Sequence, residues 1–277
     1  MALLIPLALF LVMVSLGLGL PRVEFDLLRT RPAFLLRVLV GSCVLVPLVA
    51  FVLLKLPVFA GLPADWLMGA ALMALCPSAP LITFKSSRKG GDAVLAAKLQ
   101  FWTAAVAVVS VPALMGLFHR WSVEPAPVAA QVAQAQLIPL LLGVGLRRWT
   151  PKLAEQINPA IQKLASVVMM LLLALILVAA LPKVAPYVAS NLLGAGLMLL
   201  LSAAALGIGL LVSVPQPAEQ TTTALVVSMR NPGLALLLVQ QFAPEQQELK
   251  LAVVAYVLIT VLTTIPFLRW RQSLQQV

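Results

Sequence analysis

The sequence predicts an all-α integral membrane protein of about nine transmembrane helices, and three observations carry that expectation. Of the 277 residues 62% are apolar and 10% charged, with a mean hydropathy of +1.05. Soluble domains run instead at about 45–50% apolar and about 25% charged. Apolar runs of about 18 to 25 residues, the length that crosses a bilayer, recur along the whole chain. The segments between them are short and hold most of the charge, so residues 1–277 read as a single polytopic membrane domain with no soluble domain left over.

Taken from the amino end, the spans fall near 1–20, 33–54, 65–84, 93–118, 126–146, 160–181, 190–213, 221–242 and 250–268, each bounded by proline, glycine or charge. The first, "MALLIPLALFLVMVSLGLGL", has no basic leader and no small-residue cleavage site, and reads as a retained span. With the amino terminus outside and the carboxyl terminus cytoplasmic, the inner loops hold Arg22, Arg29, Arg31, Lys85, Arg88, Lys89, Arg147, Arg148, Lys152, Arg269 and Arg271. The outer loops hold Lys55, Arg120, Lys183 and Lys250, an asymmetry that an eight- or ten-span arrangement scrambles. The net charge of +10 is therefore a topology signal spread over short loops, and nucleic acid is not an expected partner; the lipid bilayer is. Trp66, Trp121, Trp149 and Trp270 at or near span ends suit an aromatic belt. Cys43 and Cys76 both lie in apolar segments, where neither a disulfide framework nor a metal cluster is suggested.

The third and eighth spans are interrupted. "WLMGAALMALCPSAPLITFK" carries Pro77 and Pro80, and "TTTALVVSMRNPGLALLLVQQF" carries Pro232 and Gly233, each near the middle. Proline removes a helix hydrogen bond and clashes with the preceding turn, so both spans are expected to unwind or kink there. The two lie five spans apart, as in an inverted repeat: a first copy over about 1–118, lacking its first span, and a second over about 126–268. Paired interrupted spans point to a secondary-transporter binding site at the midplane; the competing reading is two ordinary proline kinks.

Every carboxylate falls in a loop or at a span end, yet Arg230 sits near the middle of the eighth span and Lys98 inside the fourth. A cation at the bilayer centre costs about 2.5–3.5 kcal/mol even on insertion scales, so it needs a partner. Three are open: backbone carbonyls freed by the broken helices, snorkelling to an interface, or an anion foreign to the protein. Broken helices also present half-helix amino termini that favour negative charge. Arg230, Lys98, Ser78, Thr83, Ser228 and Asn231 are thus candidates for an anion site around the crossover backbone of Cys76, Pro77, Pro80, Pro232 and Gly233. Lys85 joins them if the unwound segment turns it inward; otherwise it is a cytoplasmic anchor. Cys76 is either a thiolate ligand for a soft metalloid or a small packed hydrophobe. No hydrolase, zinc-protease or nucleotide-binding motif stands in a credible context, so neither an enzyme nor a cofactor is expected.

These residues resemble the bile acid:sodium symporter family, in the broader superfamily that includes arsenite exporters. The likeness lies in "CPSAPLITFKSSRKGGDAVLA" at 76–96, similar to that family's Cys-Pro crossover and its basic-Gly-Asp/Asn turn, and in "VVSMRNPGLALLL", similar to its Met-Gln/Arg-Asn-Ser-Gly-Leu-Ala crossover. The resemblance implies a bacterial-type homologue in the inner (plasma) membrane. It also implies a core domain built on the crossing helices, spans 2–4 and 7–9, and a panel domain of spans 1, 5 and 6, moving against each other in alternating access.

Where the family's sodium ligands stand, this chain departs. The Ser-Asn pair after the crossover proline is Ile82 and Thr83 here, the hydroxyl ligands of the next span are Ala96 and Gln100, and the glutamate before the crossover methionine is Val226. Sodium is therefore not an expected partner, while Gln100 joins the candidate substrate-binding set. Arg230 replaces the glutamine after that methionine, and is expected to supply permanently the charge that bound sodium supplies in relatives. The function expected is sodium-independent secondary transport of small organic anions. The alternatives are a metalloid exporter using Cys76 and a non-transporting membrane receptor or assembly partner.

Overall fold

The computed structural model describes residues 4–20, 26–79, 90–118 and 124–274, and all the regular structure among them is helical. α1 is Leu4–Gly19 and, after a short turn of helix at Asp26–Thr30, α2 is Pro32–Leu54. α3 is Ala64–Leu75, α4 Ala93–Met115, α5 Pro125–Trp149 and α6 Pro151–Ser190. α7 is Leu192–Leu211, α8 Pro217–Ser228, α9 Pro232–Phe242 and α10 Gln247–Leu274.

Among the described residues seven stretches are long and apolar enough to cross a membrane: α2, α4, α5, α6, α7, the α8–α9 pair and α10. α1 and α3, the expected first and third spans, are shorter apolar helices of 16 and 12 residues. At 1.5 Å per residue α3 reaches about 18 Å, short of a hydrocarbon core about 30 Å thick. The expected third span continues to residue 84, and Pro80, Ile82, Thr83 and Lys85 lie outside the described residues.

The expected sixth span, 160–181, is one helix of 40 residues that runs through Pro159, Pro182 and Pro186. Proline reads as a boundary in the sequence; inside a long helix, neighbouring groups and small local adjustments absorb its missing donor.

The helices pack through small residues, as expected where the hydrophobic effect does not drive helix association. α1 lies on α5 and α6. A Cβ on Gly17 would stand 2.8 Å from Val144 N, and one on Gly143 would stand 2.9 Å from Leu18 N, so these two helices meet backbone to backbone. In the remaining bundle, α7 approaches α8 where Gly209 faces Ala224, and α3 meets α10 where Gly69 faces Ala252.

Two polar clusters tie the ends. Tyr187 of α6 stacks on Trp66 at a ring separation of 4.6 Å and donates to Asp65 at the start of α3; burial, aided by that bond, raises the phenol's pKa. Elsewhere, Arg31 holds Glu219 through two bonds of 2.9 and 2.8 Å, which secures its protonation. Arg271 of α10 donates to Pro217 O, Thr221 Oγ1 and Gln220 Oε1, so the start of α8 is pinned by two arginines.

Two π-turns interrupt otherwise regular helix, at Gly41–Leu45 in α2 and Ala133–Leu137 in α5. Each ends one residue before a Val-Pro or Ile-Pro pair. Val46 N–H reaches back five residues to Gly41 O, and Pro47 has no N–H to give, so Ser42 O is left without a helical donor. The same spelling in α5 sends Ile138 N–H to Ala133 O ahead of Pro139.

Candidate functional site

The two interrupted helices meet at their breaks. α3 stops at Leu75, where Cys76 takes up extended backbone, and α8 stops at Ser228, with Met229 and Asn231 extended before α9 begins. The exposed backbone pairs: Asn231 N donates to Cys76 O at 3.0 Å and Ala79 N to Met229 O at 2.8 Å. The segments run antiparallel, and Pro77 with Ser78 faces Arg230 alone, the two-against-one count of a β-bulge. Ser78 takes the extra residue's strain at a φ of 50°, in the left-handed region. Gln100 of α4 holds it there: Ser78 Oγ donates to Gln100 Oε1 at 2.5 Å, and Gln100 Nε2 donates to Ser78 O at 3.0 Å.

Arg230 lies at the centre of this crossing, 3% exposed. Its Nε donates to Met73 O at 3.1 Å, its Nη1 to Ser42 O at 3.1 Å, to Val227 O at 3.2 Å and to Ser42 Oγ at 3.3 Å, and its Nη2 to Ala74 O. The sequence explains why these carbonyls are available. Met73 O would serve the N–H of residue 77, which is proline. Val227 O would serve Asn231 N–H, which goes to Cys76 O instead. Ser42 O is freed by the π-turn before Pro47. Of the three partners the sequence leaves open for this cation, freed backbone carbonyls are met among the described residues.

Lys98 has a different partner. Its Nζ lies 3.9 Å from Asp26 Oδ2, with the lysine side chain 17% and the aspartate 39% exposed. No carboxylate near Lys98 is legible in the residues because Asp26 stands 72 positions away; the fold brings the short helix Asp26–Thr30 to this lysine.

Ser228 and Asn231 flank the break and are fully buried. Asn231 caps α9, its Oδ1 accepting from Leu234 N at 3.1 Å. Asn231 Nδ2 and Ser228 Oγ have no hydrogen-bond partner among the described residues. Leu9 of α1 covers the α9 terminus, with Cδ2 2.9 Å from where a Cβ on Gly233 would stand. Cys76, fully buried, contributes its carbonyl to the crossing. Ala96 and Val226 are packed in the apolar core and bring no side-chain oxygen.

The residues that sequence reasoning missed are Ser42, Met73, Ala74 and Val227, which act through backbone oxygens. The signal available was the proline four residues after Met73 and the one five residues after Ser42.

A family model described as the Sodium Bile acid symporter family matches residues 6–186 of the chain. No curated protein matches it.

Proposed function

The chain belongs to the sodium bile acid symporter family, a family of membrane transporters, and we propose that it carries small organic anions by alternating access without sodium. One observation carries this reading: the guanidinium of Arg230 occupies a cage of five oxygens, four of them backbone carbonyls at helix breaks. Such an oxygen shell is the surrounding a hard cation takes, and here a tethered cation fills it. Arg230 is covered by its cage, so it acts on the anion through its field, which is little screened in a low-dielectric interior. The contacts come from the amino terminus of α9, whose dipole favours an anion; Pro232 has no N–H and Asn231 holds Leu234 N, so the donors are Gly233 N–H with Asn231 Nδ2 and Ser228 Oγ, which are unpartnered among the described residues. The Ser78–Gln100 pair holds the crossing in shape.

In this reading α1, α5 and α6 form the panel, the other helices form the core, and rocking of one on the other exposes the crossing to each side in turn. The packing of α1 on α5 and α6 supports that division. The eleven-against-four distribution of basic residues supports nine spans, an outer amino terminus and a bacterial inner-membrane setting.

The test is thermal stabilisation of the purified protein by a panel of small carboxylates, in sodium and in potassium buffers. Ligand that binds the native state raises stability with concentration over affinity. The expected outcome is stabilisation equal in both buffers and lost in Arg230→Gln; stabilisation that requires sodium refutes the reading.

A further inference from the structure

The two π-turns arise from the same local spelling and are used differently. In α2 the turn frees Ser42 O, and Arg230 takes it. In α5 the turn carries Gln136, which is 0% exposed, and among the described residues neither its Oε1 nor its Nε2 has a hydrogen-bond partner. A buried amide with both ends unpaired is costly, and a π-turn costs helix regularity besides; such turns are frequent at functional sites. Nothing in the packing of the described residues repays either. The turn lies against α1 and α4. Leu140, one helical turn further on, belongs to an apolar cluster with Met13 and Leu16 of α1, Leu20 just after it, and Ala97, Phe101 and Ala104 of α4. Gln136 therefore stands in the seam between α1 and α4. The same α1 carries Leu9, which covers the α9 terminus, and the same α4 carries Gln100, which locks Ser78.

We propose that Gln136 is a ligand-recognition residue that reads a donor and an acceptor carried side by side on the transported molecule. This rests on the anion-carrier reading and narrows its substrate class. A plain carboxylate satisfies only the Nε2 donor and leaves Oε1 unpaired. A hydroxyl next to the carboxylate donates to Oε1 and completes the amide, so the site is matched to hydroxylated carboxylates over their unsubstituted counterparts. A site built to bond a hydroxyl discriminates strongly against the analogue lacking it, because its own polar group is then left buried and unpaired.

The experiment uses the full-length purified protein and Gln136→Leu, titrated with lactate against propionate and malate against succinate, with affinity read from thermal stabilisation. For the wild type the hydroxylated member of each pair binds at least about tenfold more tightly, the factor one well-made buried hydrogen bond supplies. Gln136→Leu brings that ratio to about one and binds the plain anions more weakly than the wild type, because their bond to Nε2 goes with the amide. An unchanged ratio in the variant overturns the proposal, as does a wild type that does not discriminate; either result leaves the carrier reading standing if plain anions bind. A variant more stable than the wild type with an unchanged ratio means that the amide holds only water. Gln136→Met, which keeps the chain length and drops both polar atoms, replaces a leucine variant that does not fold. If neither folds, the amide is structural and the proposal fails. If no anion stabilises the wild type, the carrier reading itself falls, and this inference with it.

Discussion

Replacing Arg230 by glutamine tests the cage directly. The guanidinium serves four buried carbonyls, of Ser42, Met73, Ala74 and Val227, and the Ser42 hydroxyl. A glutamine amide brings two N–H groups, so at least two carbonyls lose the guanidinium; Met73 O also accepts from Cys76 N at 3.3 Å, so one or two of them are left with no donor. At about 1–3 kcal/mol for each buried group left unsatisfied, the loss is about 1–6 kcal/mol. Removing a charge from the interior returns part of that, and the expected net is about 3 kcal/mol of destabilisation. For a chain of this size about 2–4 °C accompanies each kcal/mol, which places the variant about 6–12 °C below the wild type. Cys43 and Cys76 are both free and buried, so a thiol-reactive dye reports unfolding without further labelling. The same melt run in sodium and in potassium chloride carries the second half of the prediction. With the arginine gone, the emptied oxygens offer a shell for a small cation, so sodium restores stability to the variant and leaves the wild type unmoved. A variant that melts within about one degree of the wild type refutes the argument that the cage is energetically coupled to the guanidinium.

Two further outcomes follow from the packing. At Ser78, alanine loses the bond to Gln100 and keeps the left-handed backbone, whereas glycine loses the bond and relieves the strain. Ser78→Gly is therefore expected to be more stable than Ser78→Ala by about 1 kcal/mol, read from paired melts. At the α1–α5 contact, Gly143→Ala drives a Cβ into α1 backbone and loses native protein on size-exclusion chromatography. Gly207→Ala in α7, where a Cβ meets nothing within 4 Å, leaves the profile intact and gains about 0.4–1 kcal/mol.

The membrane class, the interrupted helices and the need of Arg230 for a partner were all legible in the residues. Each is a local statement: hydropathy over about twenty positions, proline and glycine inside an apolar run, and a cation where lipid excludes one. Even the carbonyls that receive Arg230 are half visible, since Pro47 and Pro77 each remove a donor from a definable oxygen. What the residues could not tell was which freed groups meet. Asp26 and Lys98 are 72 positions apart and Ser42 and Arg230 are 188 apart, and their pairing depends on how helices cross, which hydropathy does not encode. Gln136 escaped for the same reason. A polar residue in an apolar run faces either lipid or a neighbour, and only the packing of α5 between α1 and α4 buried its amide with no partner among the described residues. Local chemistry thus determined which groups would be left wanting partners; the tertiary structure decided which of them found one, because partners far apart in sequence are selected by shape and close packing.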